Sequence, residues 1–280
     1  MKNKIFLILM ISLMTYSCFA MFNDYEPSAR ARGMSGAVTS FSDDYSAIFY
    51  NPAGMRYSGT QAGAGYFKLF GNDFSEITTV SGAVKTEKAG SFGFGFMSHN
   101  VEYYDVNLMN EKIFSLGHSF YLTKDVRSEI TFGYSASIYT LSYHELGEDT
   151  NVGINAGVIA TLHQRTKLGF MLKNINKPTM GKDHNHDIPQ QLAIGLSYIP
   201  YQGVITAIDL KKNYEGDTEL RTGVEVEIHP MMIIRAGIRN NPASYSFGAA
   251  FKLKGMILDY ALNTHAVLDM THHFGLGYRF

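Results

Sequence analysis

His272-His273-Phe274-Gly275-Leu276-Gly277-Tyr278-Arg279-Phe280 closes the chain, and it alternates without a break. Phe274, Leu276, Tyr278 and Phe280 fall on one face of a strand, and Gly275, Gly277 and Arg279 fall on the other. A period of two that sets an apolar face against a small or polar one, and stops on an aromatic, is the pattern of an outer-membrane barrel strand. Its outer side meets lipid and its inner side meets a lumen. A soluble sandwich that ends in a strand would show the same residues, so the rest of the chain has to decide.

From Thr60 onward the sequence divides into about fourteen segments of roughly nine to twelve residues, the length a tilted strand needs to cross the hydrocarbon layer. In 129–140, Ile130, Phe132, Tyr134, Ala136 and Ile138 oppose Thr131, Gly133, Ser135 and Ser137. In 191–198, Leu192, Ile194, Leu196 and Tyr198 oppose Gln191, Ala193, Gly195 and Ser197. In 219–228, Leu220, Val224, Val226 and Ile228 oppose Glu219, Arg221, Gly223, Glu225 and Glu227. Phe92, Phe94 and Phe96 interleave with glycines, and Tyr245, Phe247, Ala249, Phe251 and Leu253 oppose Ser246, Gly248, Ala250 and Lys252. The ends of the third and ninth segments are blurred. Connections alternate as well: 100–110, 143–150, 177–189 and 212–217 read as long, whereas 87–89, 163–166 and His229-Pro230 read as short. Long loops outside and short turns in the periplasm are how such barrels are built. The expected fold is all-β: a transmembrane antiparallel up-and-down β-barrel of about fourteen strands over residues 59–280.

Lys2 and Lys4 precede an apolar run over 5–14, and small residues follow near Ala20, so residues 1–20 read as a signal peptide cut after Ala20. That run is too short to span a bilayer as a helix, and no other stretch is longer. The mature chain therefore enters a membrane only as strands. Cys18 is the sole cysteine, which leaves the mature chain no disulfide and no thiolate metal site. A second reading takes Thr15-Tyr16-Ser17-Cys18 as a loose lipoprotein box with Cys18 lipidated. Net charge is −1 and charged residues are 18% of the chain, so nothing recruits nucleic acid. The expected location is the outer membrane, with its lipid and the barrel-assembly machinery as partners. Phe274, Leu276, Tyr278 and Phe280 form the expected C-terminal insertion signal.

Residues 21–58 do not alternate. They hold Arg30-Ala31-Arg32-Gly33-Met34-Ser35-Gly36-Ala37, then Asp43-Asp44, then Asn51-Pro52-Ala53-Gly54-Met55. Gly33 and Gly36 permit tight turns, Asp43 can cap a short helix running to about Tyr50, and Asn51-Pro52 ends it before a turn at Gly54. Arg30, Arg32, Asp43 and Asp44 have no stable place in lipid. Placed inside the barrel as a plug, they would meet the lumen charges Arg221, Glu225, Glu227, Arg235, Arg239 and Asp259, with Asn51 and Pro52 where the chain enters the first strand. The other reading is that the lumen charges form a ladder among the strands and never touch this segment.

The run R-x-x-G-M-x-G-A over 30–37, followed by D-D-x-x-A-x-x-x-N-P-A-G-M over 43–55, resembles the N-terminal segment of the FadL-like outer-membrane barrels, and in particular their PorV/PorQ branch. Leu258-Asp259-Tyr260-Ala261, with Thr271-His272 and Phe274-Gly275-Leu276, is similar to that branch too. The resemblance implies fourteen strands, and a plug or hatch made from the N-terminal segment. It implies a component or docking partner of a protein-secretion or surface-attachment system. The alternative it carries is FadL-like passage of hydrophobic small molecules, such as fatty acids. FadL-type transporters build a greasy capture site from long external loops, and a mature chain of about 260 residues leaves little length for one, which favours the secretion reading.

Other polar clusters point to no chemistry. Asp183-His184-Asn185-His186-Asp187 offers imidazoles and carboxylates of a type that binds metals, but between lysines and prolines it reads as a solvated turn. His272 and His273 lie on opposite faces of one strand. No G-x-S-x-G, H-E-x-x-H or phosphate-loop pattern is present, and neither an enzyme nor a cofactor is expected.

Overall fold

The computed structural model describes residues 22, 25–145, 147–181, 186–214 and 216–280. The expected signal peptide, Cys18 included, lies outside them, as do Asp183, His184 and Asn185.

Fourteen strands make one closed barrel: β1 (Gln61–Lys68), β2 (Ser75–Lys85), β3 (Ser91–Tyr103), β4 (Val106–Lys124), β5 (Ser128–Tyr143), β6 (Gly147–Leu162), β7 (Thr166–Lys173), β10 (Gln191–Tyr198), β11 (Val204–Asn213), β12 (Thr218–His229), β13 (Met232–Arg239), β14 (Ser244–Leu253), β15 (Met256–Asn263) and β16 (Thr271–Arg279). The two-residue strands β8 (Thr179–Met180) and β9 (His186–Asp187) pair within the connection between β7 and β10. Each barrel strand runs antiparallel to its neighbour in sequence, and β1 closes the ring on β16, with Gln61 opposite Arg279 and Lys68 opposite His272. Closure pairs every strand on both sides, which is what a sheet inside a bilayer requires.

Burial follows the sequence period. Along β16, Phe274, Leu276 and Tyr278 are exposed on the outer face, while His273, Gly275 and Gly277 are buried inside. The same outer face carries Phe92, Phe94, Tyr134, Phe170, Ile194, Phe247 and Leu258, all exposed. An apolar surface that encircles the molecule is covered by lipid, and the protein is an outer-membrane barrel.

One wall is taller than the rest. β4 has 19 residues and β5 and β6 have 16 each, against 8 in β1 and β7. A tilted strand crosses the hydrocarbon in about 9–11 residues, so β3 to β6 continue past it as paired hairpins. The expected long loops at 100–110 and 143–150 are therefore largely strand. Toward the hairpin tip of β3 and β4 residues on both faces are exposed and the alternation fades, although the ladder goes on. The tip between β3 and β4 is only Tyr104 and Asp105, both left-handed at φ 48° and 61°, the geometry of a two-residue hairpin turn.

Residues 25–58 pack inside the ring. They form the short helices Ala29–Gly33, Ala47–Tyr50 and Met55–Ser58 and the 3-10 turn Pro52–Gly54. Helices of four or five residues do not persist alone in water; side chains of the wall hold them.

Candidate functional site

The interior has a charged side and an apolar end, and the inner segment joins them. On the charged side, Arg30 of the first helix donates two hydrogen bonds of 2.9 Å to the Glu225 carboxylate of β12. It also donates to Asp43 at 2.5 Å and to Asp44 at 3.4 Å within its own segment. Glu225 in turn accepts from Arg235 of β13 at 2.6 Å, and Arg235 donates to Asp259 of β15 at 2.6 Å. The two readings of these charges thus coexist: Glu225, Arg235 and Asp259 form a ladder across strands, and Arg30 plugs into its end. Burial alone would push the Asp43 carboxyl up, but Arg30 and then Lys167 outweigh it and hold it below the ordinary carboxylate range. Beside this network a cavity of about 640 Å³ opens at the short-turn rim near Pro230, Met231, Lys254 and Gly255.

The other expected charges are placed differently. Arg221 pairs with Glu26 of the inner segment and with Glu219 at 2.7 Å. Arg32 donates to His273 at 3.3 Å and lies 4.6 Å over the Phe67 ring. Glu227 is bound to Lys252 at 2.6 Å on the exposed rim, and Arg239 donates to Ser244 at 3.0 Å; neither reaches the inner segment through these bonds. Asp43 is not the helix cap that its position suggests. The N-cap of that helix is Ser46, which makes no side-chain cap bond; Asp44 accepts from the Ser46 backbone at 2.8 Å in the turn before it, and Asp43 pairs with Arg30.

Close approach to the wall sets where the segment rests. Facing glycines recur around the inner surface: Gly63 with Gly277, Gly93 with Gly117, Gly133 with Gly157, Gly169 with Gly195, Gly223 with Gly237. Backbone and side chains of the segment fill the space their missing side chains leave. A Cβ at Gly133 would fall on the Pro52–Ala53 peptide, so only glycine fits there. Asn51 is fully buried against the same wall; its amide donates to Thr39 O at 2.8 Å and, at 3.4 Å each, to the backbone carbonyls of Val158 and Phe170. Asn51 and Pro52 are therefore docked mid-wall, not at the entry to β1, which follows Gly54, a further helix and the left-handed Gly59 at φ 76°. Gly36 supplies the left-handed turn after the first helix at φ 79°, while Gly33 is its last helical residue, packed on Gly248.

The apolar end was not anticipated. At the long-loop half of the lumen, Phe67, Ile77, Met97, Ile113, Tyr139 and Leu141 turn inward from β1 to β5 and meet Met180 and Ile188 of the β7–β10 connection. Phe22 sits among them, its ring edge-on to Tyr139 at 5.0 Å. One polar cluster interrupts this chamber. Ser75 Oγ lies 3.0 Å from His99 Nε2, and His99 Nδ1 lies 3.1 Å from Glu111 Oε2, all three buried. The other Glu111 oxygen accepts the Phe22 backbone N–H at 2.9 Å. The order Ser, His, carboxylate is that of a hydrolase triad, but Ser75 lies in a paired strand opposite Val101, not on the sharp strand-to-helix turn that presents a nucleophile.

No family model matches the chain, and no curated protein does. Solved structures do. The chain is similar to the monoaromatic hydrocarbon channel CymD, with 12% identity and a TM-score of 0.67 over 89% of this chain and 96% of that one. It is similar to the toluene transporter TodX of Pseudomonas putida, with 13% identity and a TM-score of 0.62 over 89% and 96%. It is also similar to a FadL homologue of Pseudomonas aeruginosa, with 12% identity and a TM-score of 0.58 over 89% and 97%. At such identities the likeness is one of fold. These matches overturn the PorV/PorQ assignment, and with it the secretion or surface-attachment role that rested on the assignment. The loop-length reasoning behind that role fails for a physical reason: most of the buried apolar cluster comes from inward side chains of β1 to β5, with only Met180 and Ile188 supplied by a connection. The chain is an outer-membrane β-barrel with the fold of these hydrocarbon channels.

Proposed function

We propose that the barrel passes hydrophobic small molecules across the outer membrane, and that residues 25–58 act as the plug that controls the path. The observation that carries this reading is the apolar chamber inside the long-loop half of the lumen. A barrel that served only to hold water or ions would line that space with polar side chains; burying Phe67, Ile77, Met97 and Ile113 inward instead creates a place where an apolar solute leaves water favourably. The likeness in fold to channels named for monoaromatic hydrocarbons and toluene supports it. Beyond the chamber the inner segment fills the lumen, and the cavity at the short-turn rim offers the way out once the segment yields.

The test is initial uptake of radiolabelled toluene and oleate by cells whose own channels of this kind are deleted. Expression of the chain should raise the rate several-fold. Ile113→Gln, which should insert normally as judged by heat-modifiable migration, should lose most of the gain. Rates equal to those of the empty vector for both solutes would refute the proposal.

A further inference from the structure

We infer that the chamber's ligand is a ring-sized apolar molecule carrying one hydrogen-bond donor, a phenol-like compound, and that Glu111 is the residue that reads the donor. This inference rests on the hydrophobic-passage reading above and deepens it. The pose of Phe22 supplies the template. Its ring occupies the apolar chamber against Tyr139, and its N–H reaches Glu111 Oε1 at 2.9 Å. A ring in the grease and a single donor on a carboxylate is the outline of a phenol.

Glu111 is suited to that task by its surroundings. Its side chain is fully buried, and His99 engages Oε2, with Ser75 behind His99, so the carboxylate cannot swing away. Oε1 faces the chamber and accepts the Phe22 N–H. When a guest displaces Phe22, a buried carboxylate oxygen loses its partner, and such an oxygen is costly to leave unpaired. A plain hydrocarbon fills the space but cannot heal that oxygen. A carboxylic acid brings like charge against Glu111. A neutral hydroxyl does both jobs, which separates this site from one tuned to hydrocarbons alone. The Phe22 ring itself marks the room that a ring-sized guest would take, packed among Met97, Ile113 and Tyr139.

The experiment uses the full-length protein in lipid nanodiscs, with empty nanodiscs subtracted, and titrates toluene, p-cresol and p-toluate. Native protein should bind p-cresol about tenfold or more tighter than toluene, as expected of a hydrogen bond to a charged acceptor, and p-toluate weakest. Phe22→Ala should tighten both neutral probes by removing the competing ring. Glu111→Leu should bring p-cresol down to the level of toluene while toluene changes less than about twofold, since the apolar walls remain. Equal binding of toluene and p-cresol by the native chain and by Phe22→Ala, or a p-cresol preference that survives Glu111→Leu, would overturn the role of Glu111 and leave hydrophobic passage standing. Binding of none of the probes, even by Phe22→Ala, would overturn both.

Discussion

Arg30 is where the inner segment and the wall become one electrostatic unit. Its guanidinium faces Asp43 and Asp44 from its own segment and Glu225 from a strand 195 residues away in sequence, so replacing it strands charges on both sides. Arg30→Met should weaken docking of the segment by about 1–3 kcal/mol, less than the cost of breaking a fully buried pair because Arg30 and its partners are part-buried. The check is limited trypsin digestion, which should cut within residues 25–58 of the variant far faster while the barrel itself stays intact. Acid acts on the same node. The Asp43 carboxyl is held below its ordinary value of 3.8, so its contribution is complete above that value and is lost only as pH falls through the lowered one. Protease protection of the segment should accordingly be flat between pH 8 and about pH 5 and fall off below about pH 4. An Asp43→Asn variant should show weaker protection throughout the flat range. The sequence displayed these charges plainly, and lipid's intolerance of them pointed inward. Which carboxylate meets which arginine was not legible, because a pairing across such a separation is fixed by barrel register. The capping role expected for Asp43 is filled by no side chain: Ser46 is the N-cap, and Asp43 pairs with Arg30 instead.

At the scale of elements, the strands were readable and their ends were not. Alternation exposes a strand only where its two faces meet different media, so β3 to β6 vanished from the pattern where they rise past the lipid. The apolar chamber had a signal that was there to be seen. Along β5 the inward positions run Thr131, Gly133, Ser135, Ser137 and then change to Tyr139 and Leu141, two large residues on a face expected to be polar. The glycines of that same face fix the inner segment by leaving space for it. Gly133→Val should therefore insert as a barrel yet displace the Pro52–Gly54 turn, seen as protease access to residues 25–58 without loss of heat-modifiable migration. Chain orientation follows from the unequal rims. A protease site at Gly181 should be cleaved on intact cells and one at Gln164 only after the membrane is opened; the reverse order would turn the molecule over. The last strand carries a further expectation. Phe280 is 79% exposed beside Tyr278, free to be read during assembly, and Phe280→Asp should lower the inserted fraction several-fold in outer-membrane preparations.

For the whole molecule, the barrel and its inner segment make separable contributions, and one deletion distinguishes them. In planar bilayers the intact chain should conduct ions poorly, whereas removal of residues 23–50 should give larger and steadier steps. Equal conductance of the two would place the barrier in the side chains of the wall. The connection between the two parts carries a consequence of its own. Only Gly59 and Thr60 separate the helix Met55–Ser58 from the first residue of β1. The segment is thus a captive ligand of its own barrel, at a local concentration in about the millimolar range or higher, set by a leash of a few residues. If the segment is the plug proposed above, weak docking would suffice to keep the path shut under such confinement. Each departure ends in a unimolecular return, whose rate does not depend on how many copies of the protein the membrane holds. On the proposed function, a solute that displaced the segment would need only to outlast its next collision with the wall, and passage would behave as a race between diffusion of the guest and recapture of the leash.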